Sequence, residues 1–411
     1  MLQRVTVGRW ALDSYDGIAP AEIMAQLREH ASALKGARIL HVNATAYGGG
    51  VSELLRSSVP LLRDLDLSVD WKVIGGNPAF FRATKALHNA LQGAPRSLTQ
   101  AEQAAYRQCN EENAQTLDGD YDFIIVHDPQ PVGLLRAYGK SNARWVWRCH
   151  IDTSEPNPDA WQFLAPCLEG FEAAVFTMPE FVPPGLPIER VEVIAPAIDP
   201  LSPKNMELER GVASQILDWI GLDLPGRLVT QVSRFDPWKD PLGVIDAYRL
   251  VREEIGELQL ALVGSMALDD PEGWEVYQQV SDATEHDPLI HIYTNLTGVG
   301  NVEVNAFQRL SEVIVQKSIR EGFGLVVSES LWKGTPVVAG HAGGIPLQMP
   351  AGVGGRLVHS TEECATAMLE LLQNQQLAVD LGRQGRERVR EHFLLPRLLM
   401  EELQLLSTLA N

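Results

Sequence analysis

Val313-Ile314-Val315-Gln316-Lys317-Ser318-Ile319-Arg320-Glu321-Gly322-Phe323-Gly324-Leu325-Val326-Val327-Ser328-Glu329 is the stretch whose reading decides the fold. Residues 313–315 are β-branched and apolar, the mark of a buried strand. Gly322 and Gly324 then make a tight loop, and residues 324–333 read as a helix. A strand, a glycine loop and a helix in that order belong to a parallel α/β layer. In such sheets ligands bind beyond the carboxyl ends of the strands, where backbone N–H groups and helix starts converge. The polar residues of this stretch are therefore site candidates. The Glu321 carboxylate, in the loop, can accept sugar hydroxyls, and Glu329, about one and a half turns into the helix, comes within reach of a ribose diol. Gly322-Phe323-Gly324 permits close backbone approach, and the N–H groups around Leu325 can meet a phosphate at the helix start.

The same alternation extends in both directions. Residues 228–232, 260–263, 291–293 and 336–339 supply the other strands of this series, with amphipathic helices between them. Ala342-Gly343-Gly344-Ile345-Pro346 follows the last of these as a turn. An earlier series reads as strands over 38–42, up to Val73-Ile74, 121–126, 144–148 and 174–177, with an amphipathic helix over 79–91. Residues 195–210 are irregular and hold Pro196, Pro200 and Pro203, the passage between two domains. The expected class is α/β, with two Rossmann-like domains over 1–210 and 211–390. Residues 383–409 are Leu-rich and helical.

The 411 residues are 45% hydrophobic and 21% charged, ordinary for a folded enzyme. A net charge of −19, from 53 acidic and 34 basic side chains, disfavours nucleic acid or an anionic membrane as partner. An anionic ligand must then be met by a few locally placed cations. Cys109, Cys149, Cys167 and Cys364 are scattered, without metal spacing, and read as reduced thiols. The amino terminus lacks an apolar signal run, and no stretch reaches the ~20 apolar residues of a spanning helix. A cytoplasmic protein is expected.

The cations that qualify are Arg234 and Lys239. They stand five positions apart in Ser233-Arg234-Phe235-Asp236-Pro237-Trp238-Lys239, just past a strand. A guanidinium fork and an ammonium point charge together suit a diphosphate; read alone, the loop is a solvated one paired with Asp236 and Asp240. Gly48-Gly49-Gly50 ends the first strand's loop, after Asn43, and opens a helix, another place for a phosphate or sugar oxygen. His127-Asp128 and His150 with Asp152 are polar strand ends suited to substrate hydroxyls. They come from separate strands without a third-ligand spacing, so no metal site is expected.

Arg234 and Lys239, followed by Glu321, seven intervening residues and Glu329, resemble the retaining nucleotide-sugar transferases of glycosyltransferase family 4. The resemblance is closer to the trehalose glycosyltransferring branch. It is carried by Gly48-Gly49-Gly50-Val51-Ser52-Glu53, residues 80–93, His127-Asp128-Pro129-Gln130-Pro131, residues 147–153, 233–239, 269–274, 304–309 and 318–324. These span about nine tenths of the chain, which departs from the branch at 327–330, 339–341 and 350–355. The resemblance implies the GT-B fold, two Rossmann-like domains facing a central cleft, with a terminal helix over 391–411 packing back on the first. It implies that Arg234 and Lys239 hold the donor diphosphate, Glu321 binds donor-sugar hydroxyls, Glu329 the ribose, Gly48 to Gly50 close over the donor, and His127 touches the transferring sugar. A homodimer is implied as well.

The expected reaction is transfer of glucose from UDP-, ADP- or GDP-glucose to glucose with retention, forming trehalose. His127, Arg234, Lys239 and Glu321 are its catalytic candidates. Gly48, Gly49, Gly50, Gly322, Phe323, Gly324, Leu325 and Glu329 complete the donor set, and Asn43, Asp128, His150 and Asp152 form the acceptor side. No cofactor is expected. Other small acceptors (glycerate, glycerol, fructose or a sugar phosphate), a phosphorylase or epimerase on the same architecture, and a nucleotide-sugar sensor without turnover remain alternatives at this point.

Overall fold

The computed structural model describes residues 1–47, 49–139, 142–222, 226–266 and 271–410. The chain divides into two compact units, Met1–Ala197 with Leu395–Asn411, and Ile198–Leu394. These divisions lie short of 210 and past 390, the positions read from the sequence. The proline-bearing segment does not hang free: Asn305 Nδ2 donates to the carbonyls of Pro203 (3.1 Å) and Met206 (2.9 Å), and Lys333 Nζ donates to Asn205 Oδ1 (2.9 Å). Those bonds assign residues 198–210 to the second unit.

The first unit carries strands β1 (Gln3–Arg4), β2 (Arg38–Asn43), β3 (Ser68–Val73), β4 (Phe123–His127), β5 (Arg144–Arg148), β6 (Ala173–Phe176) and β7 (Val191–Val193). They form one sheet in the order β1-β3-β2-β4-β5-β6-β7, parallel except for β1. The second unit carries β8 (Arg227–Val232), β9 (Leu258–Gly264), β10 (Ile290–Thr294), β11 (Val313–Gln316), β12 (Val337–Gly340) and β13 (Gly355–Val358). Their order is β10-β9-β8-β11-β12-β13, all parallel. Strand order reverses direction between β2 and β4 in one sheet and between β8 and β11 in the other. Such switch points open a crevice at the strands' carboxyl ends, and both groups of site candidates fall there.

Burial explains the strands. Residues 123–127 and 313–316 are buried without interruption, as parallel strands covered on both faces must be. Trp71, Trp145 and Trp147 are fully buried in the first unit. Three strands escaped the sequence reading: β1 and β7 are two and three residues long, and β13 begins at a glycine. A Cβ at Gly355 would stand 1.8 Å from the Val337 carbonyl oxygen, so close strand pairing demands the residue that least resembles a strand former.

The helix Gln100–Ala114 was also missed, because its sequence is polar and lacks a strong apolar stripe. Its start is nonetheless written locally: Thr99 Oγ1 accepts from the Glu102 N–H (3.2 Å) while Glu102 Oε2 accepts from the Thr99 N–H (2.9 Å). The terminus, read as helical over 383–409 with a last helix over 391–411, is two helices, Gln375–His392 and Leu395–Ala410. Pro396 is tolerated in the first turn of a helix and excluded from an interior, which places the break just before it. The last helix belongs to the first unit, where Arg397 donates to the carbonyls of Ala195 (2.9 Å) and Pro196 (3.0 Å). Among the described residues no helix is long and apolar enough to cross a membrane.

Candidate active site

In the second unit the loop after β8 and the loop after β11 meet. Asp236 starts the short turn Pro237–Lys239 by accepting from the Trp238 N–H at 2.8 Å, and Asp240, at φ 48°, accepts from the Gly243 N–H at 3.1 Å to start the next helix. Between these two caps Lys239 is held with its carbonyl on Gln231 Nε2 (2.8 Å) and its ammonium on Glu321 Oε2 (2.8 Å). Ser318 Oγ donates to the same oxygen at 3.2 Å, which leaves Oε1 of Glu321 without a partner among the described residues. The Ile319 N–H donates to the Trp238 carbonyl at 2.9 Å, and the Arg320 guanidinium lies over the Trp238 ring, 5.5 Å from its centre.

Arg234 is two-thirds exposed and 3.5 Å from Asp236. Lys317, not Arg234, pairs with Asp240. The turn at 342–346 backs the Glu321 loop: the Gly344 N–H donates to the Gly322 carbonyl (3.0 Å), and a Cβ at Gly343 would stand 1.7 Å from the Glu321 carbonyl oxygen. Gly324, at φ 79°, turns the chain into the helix Leu325–Trp332, which no side chain caps among the described residues. Gln348 Nε2 instead steadies this start from behind by donating to the Phe323 carbonyl at 2.5 Å. Glu329 does not lie on an exposed helix face. It is 3% exposed, with Oε1 3.5 Å from Lys204 Nζ and Oε2 accepting from Gln308 Nε2 at 3.2 Å.

In the first unit three histidines meet at the β2–β4 switch point. His41 Nδ1 is 3.0 Å from His127 Nε2, and His127 Nδ1 is 3.0 Å from His150 Nε2. His41 Nε2 is 3.8 Å from Glu402 Oε1 of the last helix, and Glu402 Oε2 is 3.5 Å from the Arg148 guanidinium. Burial pushes His41 down to about 3 and holds His127 and His150 well below the usual imidazole range, with Arg148 acting in the same direction on all three. Burial therefore favours the neutral form of all three rings at pH 7. Burial raises the Glu402 carboxyl and Arg148 opposes it; Asp128 is pushed up to about 6 by burial, although it accepts from the His150 N–H at 2.9 Å.

Both ring nitrogens of His127 are thus engaged and the residue is 1% exposed, while His150 is part-exposed at the end of the row. Asn43 is buried, its Nδ2 donating to the Thr45 carbonyl (2.7 Å) and its Oδ1 accepting from Trp71 Nε1 (2.8 Å), so it shapes the loop after β2. Asp152 Oδ1 accepts from the Ser154 N–H and hydroxyl, at 3.0 and 2.6 Å. Gly49 has φ 133° and Gly50 opens the helix Gly50–Asp64; Gly48, Asp269 and Asp270 lie outside the described residues. His41, Arg148 and Glu402 went unnoticed in the sequence. The available signal was a histidine inside the otherwise apolar strand 39–42.

Two Rossmann-like sheets of this order, each with polar loops at its switch point, make the GT-B fold. Similar solved structures include sucrose-phosphate synthase from Thermosynechococcus elongatus (TM-score 0.70, 17% identity, covering 91% of this chain and 99% of that one). Another is the α,α-trehalose 6-phosphate synthase from Burkholderia multivorans (TM-score 0.70, 14% identity, 92% and 100%). Residues 41–183 match the family described as trehalose synthase, N-terminal domain, and residues 220–388 match glycosyl transferases group 1. The trehalose synthase of Rubrobacter xylanophilus is 51% identical over 100% of this chain and 99% of its own length, and that of Pyrococcus horikoshii 43% identical over 98% of each. The chain belongs to the trehalose synthase family.

Proposed function

We propose that the protein transfers glucose from a nucleoside diphosphate glucose to free glucose with retention, forming trehalose. The observation that carries this reading is the Lys239–Glu321 pair at 2.8 Å, which joins the two motifs at the β8–β11 switch point. An incoming diphosphate competes with Glu321 for Lys239 and draws on Arg234, whose side chain extends into solvent, and on the first-turn N–H groups after Gly324. Glu321 keeps one oxygen for a donor-sugar hydroxyl. When the bond between the anomeric carbon and the phosphate oxygen breaks, negative charge grows on the diphosphate, and these donors stabilise it. The acceptor hydroxyl oxygen bonds the anomeric carbon on the face the phosphate leaves, and its proton passes to the departing phosphate. The charge balance is met by side chains and backbone, so the reaction proceeds without a metal ion.

Purified protein incubated with UDP-, ADP- or GDP-glucose and glucose, with products resolved by NMR, tests the reading. An α,α-linked non-reducing disaccharide released in step with nucleoside diphosphate is expected. If none of the three donors yields that product, glucose as acceptor is wrong.

A further inference from the structure

The row of histidines has a direction. A neutral imidazole carries one N–H and one bare nitrogen. In His41–His127–His150 each ring contacts the next through a pair of nitrogens 3.0 Å apart. Ring centres lie 5.3 Å apart, with planes 30° and 11° from parallel. A face-to-face pair with such short nitrogen contacts would bring the centres closer, so the rings meet end to end, with N–H and lone pair in line. Each contact needs one donor and one acceptor, and all three N–H bonds must therefore point the same way along the row.

Two states satisfy this. Either every ring is protonated at Nε2, with the row donating toward Glu402, or every ring is protonated at Nδ1, with the row donating toward the exposed end. The charges at the buried end choose between them. Arg148 and Glu402 are both buried within the first unit, and an arginine keeps its proton, so its carboxylate partner balances it by staying ionised. The remaining Glu402 oxygen lies 3.8 Å from His41 Nε2, and both atoms are buried without a hydrogen-bond partner among the described residues. A bare nitrogen facing a carboxylate would set two lone pairs against each other; an N–H there completes the row. The other end is Nδ1 of His150, which takes no partner among the described residues and belongs to the one residue of the three that is not fully buried.

We propose that Glu402, through His41 and His127, holds His150 in the Nε2–H form, so that its bare Nδ1 accepts a hydrogen bond from a hydroxyl of the acceptor sugar. Glu402, His41 and His127 are positioning residues, and His150 is the group that meets the ligand. The assignment of that ligand rests on the function proposed above; the direction of the row does not.

The full-length protein, labelled with 15N at histidine, tests the direction by two-bond 1H–15N correlation at pH 7. We expect His41, His127 and His150 each to show a pyrrole-type Nε2 and a pyridine-type Nδ1. A pyridine-type Nε2 in His150, or an imidazolium, overturns the proposal with no variant needed. Glu402→Gln then tests the cause, since a carboxamide N–H can donate to His41 Nε2 and release the row. The expected result is a change of the His150 pattern toward Nδ1–H, together with a KM for glucose raised about tenfold while KM for the donor holds. An unchanged His150 pattern in a folded Glu402→Gln protein overturns the role of Glu402, and a changed pattern with unchanged glucose KM overturns the contact with the acceptor. If wild-type protein shows the expected spectrum but makes no disaccharide, the function fails and the relay stands.

Discussion

The polar groups of the two units are built on opposite terms. In the first unit the histidine row is neutral and bonded within itself except at the outer nitrogen of His150, with its charged pair, Arg148 and Glu402, buried behind it. In the second, the polar groups are ion pairs on loops: Arg234 is two-thirds exposed beside Asp236, and Lys239 and Glu321 pair with side chains 16% and 12% exposed. A buried neutral network can orient a hydroxyl but supplies no net charge; loop charges can be taken over by an anion but orient little by themselves. A glucosyl transfer needs both, orientation for the acceptor and charge for the leaving diphosphate.

The comparison breaks most sharply at Arg148. Its removal in Arg148→Ala leaves Glu402 buried without its counter-charge, and loss of one partner of such a pair costs about 3–5 kcal/mol. Denaturant unfolding of the full chain, followed at a probe in the first unit, is expected to shift by that amount while the second unit's transition stays in place. A shift below about 1 kcal/mol would mean that water reaches the pair and that the first unit is not built on burial. Lys239→Ala strikes the other side. It should lower turnover by on the order of 10²–10³ with folding retained, and near-normal turnover would remove Lys239 from the diphosphate site.

How much of this was legible in the sequence follows the same divide. The loops proposed for the donor lie in short stretches, so the candidates Arg234 with Lys239, and Glu321 with Gly322 and Gly324, were readable from spacing. What bonds to what was less visible, since Lys317 rather than Arg234 takes Asp240 and Glu329 is buried against Lys204 and Gln308. The histidine row was readable at His127, which ends β4, and at His150, which follows β5. His41 sits inside β2, and Glu402 is 254 positions from Arg148; strand order and the return of the last helix bring them together, and no local pattern encodes either. The alternating strands gave the architecture, while β13 was hidden by the glycine that close pairing requires.

Acid should reveal the first unit's neutrality. His41, His127 and His150 have folded values below the ordinary 6.5, so their contribution is present above pH 6.5 and is lost as pH falls toward the folded values, about 3 for His41. Asp128, raised to about 6, and Glu402, also raised, act in the opposite sense: their stabilisation is full at low pH and is lost as pH rises through their folded values. Three histidines against two carboxyls leave a net proton uptake on unfolding, worth about 1.4 kcal/mol per pH unit for each net proton. The first unit's transition is therefore expected to weaken from pH 6.5 to 5, and the weakening should shrink in His41→Leu. A transition flat over this range would show that the rings charge in the folded state.

Thr99→Ala sharpens the comparison with the smallest effect. Thr99 caps the helix Gln100–Ala114 and exchanges bonds with Glu102 in both directions, and loss of such a cap costs about 1 kcal/mol. This substitution weakens the first unit without touching the row from Glu402 to His150. Denaturation should register the loss, while the 15N pattern of His150 and the KM for glucose should stay at their wild-type values. If the glucose KM rises in Thr99→Ala as it does in Glu402→Gln, the kinetic change reports general softening of the unit, and orientation through the histidines is not its cause.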